Sequence, residues 1–553
     1  MRINHLSNLE GFRMRKESWW KKTTIYQIYP RSYFDTTENG IGDLAGIISK
    51  LDFIKDMGFE TIWFSPFFDS PQADFGYDVS DYYQAAPEYG TQGDIFLLIE
   101  EAHTRNLKVV FDLVLNHTSD QHPWFLESRS SRDNPKRDWY IWRDGNENRP
   151  PNNWKALPGG SGWHYDNLTD QWYYASFLPF QPDLNFRNLQ VKKAMLDMVK
   201  FWLDKGVDGF RLDIFHSIFK DEKYRDNPFS RHFIPYNDEA GFFQEWRYTV
   251  NQPETLAFAR EIRDLINSYQ PERFLLGEIF ASDEIKREYL GQDQGGLNLV
   301  FLWDLPDARV TANNLRNVIE KYEAKYPDPY LPVYVLGNHD RKRIVSRVRG
   351  NVNLAKLLAV LIFTARGIPV TYYGEEIGML EGDRPIKACL DPVGQRYKNV
   401  PAVLLDALDL YVNRDGCRTP MQWNPGKNAG FSATNGNLWL ALSSNYMEQN
   451  VEELARNSDS ILNLYKDLLL LRKNSAALIK GSLKMLDQPA DILAYEREIP
   501  EEKIGVFLNF SDRANRVELD APVDRVIHSI HSIEIKSGKI NLPPYGSAVI
   551  RYK

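Results

Sequence analysis

At 553 residues the chain is too long for one minimal core and implies more than one structural unit. Its composition, 43% hydrophobic and 26% charged, is that of an ordinary soluble globular protein. A net charge of −8 and a pI of about 5.8 argue against a nucleic-acid binder, which would show a basic face.

The start, MRINHLSNLEGFRMRKESWW, lacks a continuous apolar core, so no secretory signal is expected. No run approaches the roughly 18 apolar residues of a membrane span, so no membrane partner is expected. Two cysteines, Cys389 and Cys417, are too few for a disulfide framework. The expected compartment is a reducing cytoplasm. The 14 Trp, 29 Tyr and 30 Phe suit sugar rings and large cores equally, so composition alone favours neither.

Eight short apolar runs follow one another along the chain. They are Thr23–Pro30, Thr61–Phe68, Lys108–His117, Val207–Phe215, Phe274–Phe280, Leu297–Leu305, Val333–Asp340 and Pro369–Glu376. Amphipathic helical stretches lie between them, such as LAGIISKLDFIKDMG and LAKLLAVLIFTARG. Strands that are apolar on both faces and alternate with helices predict a parallel sheet covered by helices. Eight such units predict an α/β fold of the closed (β/α)8 TIM-barrel type.

Two segments break the alternation. Residues 118–182 are rich in Trp, Asn, Asp, Gly and Pro, without a clear helix period, and are too long for an ordinary loop. They read as an inserted subdomain after the third strand. From 481 to 553 short strands and turns recur, as in DILAYERE, KIGVFLNFS and GSAVIRYK, and predict a C-terminal all-β domain of sandwich type. The barrel would then comprise residues 1–117 and 183–480.

Barrel enzymes build their sites at the C-terminal ends of the strands. There the third strand carries Asp112, Asn116 and His117, the fourth Arg211 and Asp213, the fifth Glu278, and the seventh Asn338, His339 and Asp340. Alternation puts Arg211 and Asp213 on one face, with Phe210 and Leu212 on the other. By the same parity Ile214 would face the helix ring. A lone Asp near a strand end is more often an ion-pair partner or a helix cap. Charges converging from four strands are costly to bury without a function. Three acids together, Asp213, Glu278 and Asp340, suit glycoside cleavage, which needs a carboxylate at the anomeric carbon and an acid at the leaving oxygen.

FDLVLNHTS, GFRLDIFH, LLGEIF and VLGNHD resemble the four signature segments of the α-amylase family of glycoside hydrolases, in the family's order. QPDLNF (Gln181–Phe186) is similar to the fifth segment in its oligo-1,6-glucosidase form. FGYDVSDY (Phe75–Tyr82) and GCRTPMQWN (Gly416–Asn424) resemble further segments of the α-glucosidase branch. The resemblance implies an exo-acting retaining α-glucosidase acting on short oligosaccharides, without a catalytic cofactor. Asp213 would be the nucleophile, Glu278 the general acid/base and Asp340 the holder of the ring hydroxyls. It also implies that His117 and His339 bond the same glucose, that Arg211 orients Asp213 and that Tyr77 stacks on the ring. Asp74 and Arg418 would grip O4 and block chain extension.

Departures from the family pattern also carry expectations. Where the branch often has a calcium loop, this chain reads DTTENGIGD; Asp35 and Asp43 remain, but Thr37 and Asn39 stand at the second and third ligand positions, so oxygen ligands survive while carboxylate charge is lost. A weak structural Ca²⁺ site and a metal-free polar turn are equal expectations. Lys342 stands where a proline is usual, and residues 380–413 match the branch poorly, which would reshape the outer subsites. Isomerases of this family carry an Arg-Asp-rich loop after the seventh strand. RKRIVSRVR (Arg341–Arg349) lacks that pattern, so hydrolysis leads over transglucosylation or sucrose isomerisation. In this branch, valine after the nucleophile goes with α-1,6 cleavage and small residues or threonine with α-1,4. Ile214 therefore leans the expectation to isomaltose-type α-1,6 substrates, with maltose-type α-1,4 as the alternative. The sequence gives no oligomeric state.

Overall fold

The computed structural model describes residues 18–553 except 146–148, 236–238 and 409. Most of the amino-terminal stretch scanned for a secretory signal, up to residue 17, lies outside the described residues.

All eight expected runs contain barrel strands. These are β1 (Ile25–Ile28), β2 (Thr61–Phe64), β3 (Lys108–Leu113), β4 (Gly209–Leu212), β5 (Phe274–Gly277), β6 (Leu299–Val300), β7 (Val333–Val335) and β8 (Ile368–Tyr372). They pair in parallel in the order β6-β5-β4-β3-β2-β1-β8-β7. Among the described residues no ladder joins β6 to β7, so the barrel is nearly closed with one seam there.

Side-chain parity sorts the barrel into two cores. Ile25, Trp63, Val110, Leu276, Val335 and Val370 point inward and fill the interior. Tyr26, Ile62, Phe111, Phe210 and Leu275 point outward against the helices. The same parity carries Gln27, Asp112 and Arg211 into the interior one step higher, toward the C-terminal mouth.

The helix ring is capped where its residues allow. Thr91 and Asp94 form a reciprocal capping box on the helix Gln92–Thr104, and Asn351 caps Val352–Thr364. LAGIISKLDFIKDMG forms two helices rather than one, Leu44–Ser49 and Leu51–Met57, broken at Lys50.

The segment after β3 forms a three-stranded antiparallel sheet, Trp142–Arg143, Gln171–Tyr174 and Trp163–Asp166. Its own small core includes Trp154, Trp163 and Tyr174. It also contains a helix that the sequence pattern did not announce, Pro123–Ser130, whose amphipathic stripe is only two turns long. It is initiated by the His122 side chain, which accepts from Trp124 N, and by a proline in the first turn.

Beyond the barrel lie antiparallel sheets of five and three strands with a shared core that includes Ile492, Phe507, Ile540 and Ile550. The opposite face of the larger sheet, with Leu493, Tyr495 and Val506, joins the barrel's outer core.

Candidate active site

The end of β4 organises the mouth of the barrel. Arg211 is fully buried, and its Nη1 lies 2.9 Å from Asp112 Oδ1 and 2.7 Å from Asp213 Oδ1. Its Nη2 lies 2.8 Å from Glu278 Oε2. One guanidinium therefore spans the two candidate catalytic carboxylates. Asp112, from β3, is fixed in turn by Trp63 Nε1 and by the Tyr77 hydroxyl, each at 3.2 Å.

After Asp213 the backbone leaves the strand abruptly. Ile214 has φ 30° and ψ 42°, a left-handed conformation that a β-branched residue adopts only when its surroundings impose it. Its amide donates to Glu278 Oε2 at 3.1 Å. This turn overrides strand parity. Ile214 does not face the helix ring; it lines the active cavity beside Asp213.

The cavity encloses about 290 Å³, at the small end of the range for ligand sites. Of the expected residues, Asp74, Tyr77, His117, Asp213, Glu278 and Asp340 line it. His339 sits behind them, with Nδ1 2.9 Å from Gln27 Nε2 and Nε2 3.1 Å from Asp340 Oδ2. Nε2 of His117 lies 3.1 Å from the Tyr77 carbonyl oxygen.

Arg418 is fully buried and does not reach Asp74. It donates from Nε to the His339 carbonyl at 2.8 Å and from Nη2 to Asp340 Oδ1 at 2.7 Å. The partner of Asp74 is Arg414, whose Nη2 lies 2.7 Å from Asp74 Oδ1 and whose Nη1 lies 3.1 Å from Asp340 Oδ1. Arg414 is itself held by Asp391, which accepts from Nε at 2.9 Å and Nη2 at 2.6 Å. Arg414 gave no sequence signal beyond its place four residues before Arg418, because its loop has no periodicity. Asp74 is positioned by Asp78, which accepts from the amides of Ala73 (2.9 Å) and Asp74 (3.0 Å). The turn also needs Gly76: its φ is +102°, and a Cβ there would stand 2.7 Å from the Pro66 carbonyl oxygen.

Residues 380–413 do contribute to the site, through Val393 and Tyr411 in the cavity wall. Trp246, Phe280 and Trp303 add aromatic wall that the motifs did not announce. From the RKRIVSRVR stretch only Arg341 lines the cavity, its guanidinium 5.1 Å from the Trp303 ring centre. Lys342 turns away, its ammonium 3.9 Å from Glu381.

Electrostatically the cluster holds Asp112, Asp213 and Glu278 around a single cation. Burial pushes all three carboxyls up, Asp112 to about 6, and Arg211 pulls each back down. Asp340 behaves oppositely: burial pushes it up, but His339, Arg414 and Arg418 outweigh that and hold it far below the usual range. Burial lowers the His117 imidazole to about 4 and holds that of His339 well below its ordinary value.

The DTTENGIGD loop closes on its own donors. Asp35 accepts from Thr37 N (2.9 Å), Gly40 N (2.8 Å) and Ser432 Oγ (2.6 Å). Asp43 accepts from Thr36 N (2.7 Å) and Gly46 N (2.6 Å) and caps the helix that follows, while Asn39 accepts from Ile41 N (2.8 Å). With the carboxylate lone pairs taken by N–H and O–H donors, this arrangement fits a polar turn and does not fit a Ca²⁺ cage. Among the described residues no group of three His, Cys, Asp or Glu side chains is placed to hold a metal ion.

Carboxylates from two adjacent barrel strands, held together by one arginine over a sugar-sized cavity, define a glycoside hydrolase. The model of the α-amylase catalytic domain matches residues 27–481. Over 97% of this chain and the whole of the relative, the sequence is 36% identical to an oligo-1,6-glucosidase of Bacillus cereus. An α-glucosidase of Schizosaccharomyces pombe is 33% identical over 97% of this chain and 98% of its own length. Two solved structures superpose over 97% of the chain. An α-glucosyl transfer enzyme does so with a TM-score of 0.88 at 36% identity, covering 100% of that chain. An isomaltulose synthase of Erwinia rhapontici does so with a TM-score of 0.87 at 33% identity, covering 99% of that chain. The chain belongs to the α-amylase family of glycoside hydrolases.

Proposed function

We propose that the chain is an exo-acting, retaining α-glucosidase that removes terminal glucose from short oligosaccharides and favours α-1,6 linkages. The observation that carries this is Arg211, whose neighbouring nitrogens hold Asp213 and Glu278 at 2.7 and 2.8 Å in a cavity that the Asp74–Arg414 ion pair also lines. Retention needs the two carboxyl groups roughly 5–5.5 Å apart, and carboxylates sharing one guanidinium suit that close pairing.

In this reading Asp213 is anchored through Oδ1 and attacks the anomeric carbon with its other oxygen. Glu278 is anchored through Oε2 by Arg211 and the Ile214 amide, which leaves Oε1 to protonate the leaving oxygen. The resulting glucosyl ester is then opened by a water that Glu278 deprotonates. Asp340, ionised and braced by two arginines, binds ring hydroxyls and favours the flattened, oxocarbenium-like ring. The Asp74–Arg414–Asp391 arrangement leaves no room beyond the non-reducing glucose, which makes the action exo.

The α-1,6 preference rests on Ile214, now placed in the cavity wall, and on the likeness to oligo-1,6-glucosidases. The extra rotatable bond of an α-1,6 link lets the leaving sugar swing clear of that wall. Two reduced, buried thiols suit a cytoplasmic enzyme.

The test is proton NMR of the first product. α-Glucose appears first if configuration is retained, and β-glucose first would overturn the reading. Asp213→Asn loses activity on every substrate. Glu278→Gln retains far more activity on α-glucosyl fluoride, which needs no acid, than on isomaltose. The kcat/KM ratio of isomaltose to maltose exceeds one and drops about five- to tenfold in Ile214→Thr, the scale of one methyl-sized contact. A tenfold preference for maltose would reject the linkage assignment.

The apolar mouth built by Phe280, Trp303 and Trp246 supports a second reading, transfer of the glucosyl group to a sugar acceptor instead of water. Chromatography of products from sucrose separates the two. Glucose plus fructose marks hydrolysis, and an isomeric disaccharide marks transfer.

A further inference from the structure

Two departures in the sequence, Lys342 and residues 380–413, are only partly absorbed by the catalytic site. The fold brings them together in a second cavity of about 630 Å³, whose lining includes Lys342, Glu381, Pro385, Ile386 and Lys387. Tyr411 lines this cavity and the catalytic one, so the two spaces share one aromatic side chain.

The polar groups of the second cavity are incompletely paired. The Glu381 side chain is 16% exposed, and its Oε2 stands 3.9 Å from Lys342 Nζ, too far for a hydrogen bond. Burial pushes its carboxyl up, while Tyr411, Lys342 and Arg343 draw it back. The Tyr411 hydroxyl is thus a neighbour of the carboxylate. Yet neither that hydroxyl nor Glu381 Oε1 makes a well-aligned hydrogen bond, although both atoms are buried. Buried polar atoms in that condition are costly and rare. The backbone holds the carboxylate in place: Glu381 N donates to Ser346 Oγ at 2.9 Å, and Gly382 N donates to the Gly416 carbonyl at 2.9 Å.

The charges define what fits. An anion would meet the Glu381 carboxylate, and a cation would meet the ammonium groups of Lys342 and Lys387. A neutral molecule with adjacent hydroxyls meets neither penalty. One hydroxyl can donate to Glu381 Oε1 while its neighbour accepts from Lys342 Nζ across the gap. Tyr411, Pro385 and Ile386 supply apolar surface for the C–H face of a sugar ring. A cleft of this size, with a few polar groups converging on apolar walls, has the usual form of a small-molecule site.

We propose that Lys342, Glu381 and Tyr411 form a second sugar-binding site, separate from the catalytic acids, and that its occupant is free glucose. The choice of glucose rests on the α-glucosidase reading, which makes it the product released next door. The site itself does not, since its ligand is bound and not cleaved.

Equilibrium dialysis with radiolabelled glucose tests the proposal. The catalytic cavity is first filled with 1-deoxynojirimycin, a glucose-shaped amine whose charge seats it against Asp213 and Glu278. One equivalent of glucose still binds to the wild type under those conditions. Lys342→Ala and Glu381→Ala each weaken that binding fivefold or more, and Glu381→Gln, which keeps an acceptor oxygen, weakens it less than Glu381→Ala. The Lys342 side chain is 49% exposed, so its removal leaves the fold intact, and deoxynojirimycin binding within about twofold of wild type verifies this. Absence of glucose binding beside the inhibitor overturns the proposal, as does binding that both alanine variants leave unchanged. Displacement of the glucose by equimolar acetate or methylammonium assigns the cavity to a charged ligand and also rejects it. If deoxynojirimycin does not bind, the α-glucosidase reading fails. The second site is then still decided by whether glucose binding is lost or survives in the two alanine variants.

Discussion

At the scale of single residues the site is governed by a charge imbalance. Asp112, Asp213 and Glu278 share Arg211, and burial raises all three carboxyls while that guanidinium lowers them. In the proposed reaction Glu278 acts protonated, so activity is expected to fall as pH rises through its raised pKa. Asp213 acts ionised in that reaction, so activity is expected to fall again as pH drops. Replacing Arg211 with Ala removes the only cation between the acids and raises both carboxyl pKa values. The expected result is a pH–kcat/KM bell displaced to higher pH, with kcat reduced about 10²-fold or more as the acids lose their alignment. An unshifted bell would mean that Arg211 does not set the protonation of the pair. Arg211, Asp213 and Glu278 were all legible in the sequence because strand parity and motif agree on them. For Ile214 strand parity alone pointed to the helix ring; its place as a wall beside Asp213 follows from a left-handed backbone whose amide meets the Glu278 carboxylate outside β4.

At the scale of elements the loops after the strands were less legible than the strands. A strand declares itself by apolar runs, whereas Arg414 and Asp391 meet Asp74 only through tertiary approach. The turn after β8 holds a second buried acid pair. Glu376 is fully buried, accepts from the Tyr26 hydroxyl at 2.6 Å and is raised by burial from 4.5 to about 7. The folded state therefore holds a proton that the unfolded state has released, and stability declines as pH rises from about 4.5 to 7. Glu376→Gln keeps the acceptor and removes the buried charge. It is expected to raise the unfolding midpoint at pH 8, by about 3 kcal/mol of stability at most, and to change it little at pH 4. Calorimetry at the two pH values checks the sign. For the loop 35–43, whose carboxylates already satisfy amide donors, a chelator is expected to leave activity unchanged at temperatures where the fold is intact. Complete loss under those conditions would contradict the metal-free turn.

At the scale of the whole molecule the barrel and the C-terminal sheets are joined by buried arginines. Arg497, fully buried on the larger sheet, donates to the carbonyls of Thr364 (2.6 Å), Leu478 (2.9 Å) and Gly481 (2.9 Å). On the barrel side, Arg472 of the helix Ile461–Lys473 donates to Phe363 (3.0 Å) and Ala365 (3.2 Å) at the end of the helix that precedes β8. Arg497→Ala would leave several buried carbonyls without donors, a loss on the order of 3–5 kcal/mol. The expected outcome is a thermal midpoint lower by several degrees, with kcat unchanged while the protein remains folded. A loss of kcat in the folded variant would show that the C-terminal sheets reach the site.

The sequence by itself determined the eight strands and the all-β carboxyl-terminal region, and it singled out Asp213, Glu278 and Asp340 as candidate acids. Each rests on a local period or on residues within one strand, and such patterns persist whatever the rest of the chain does. Only the tertiary structure decided that Arg414 meets Asp74 while Arg418 meets Asp340, and that Ile214 enters the cavity wall. These depend on loops whose conformation is set by partners hundreds of residues away, such as the 340 positions between Asp74 and Arg414, and no local period encodes such an approach.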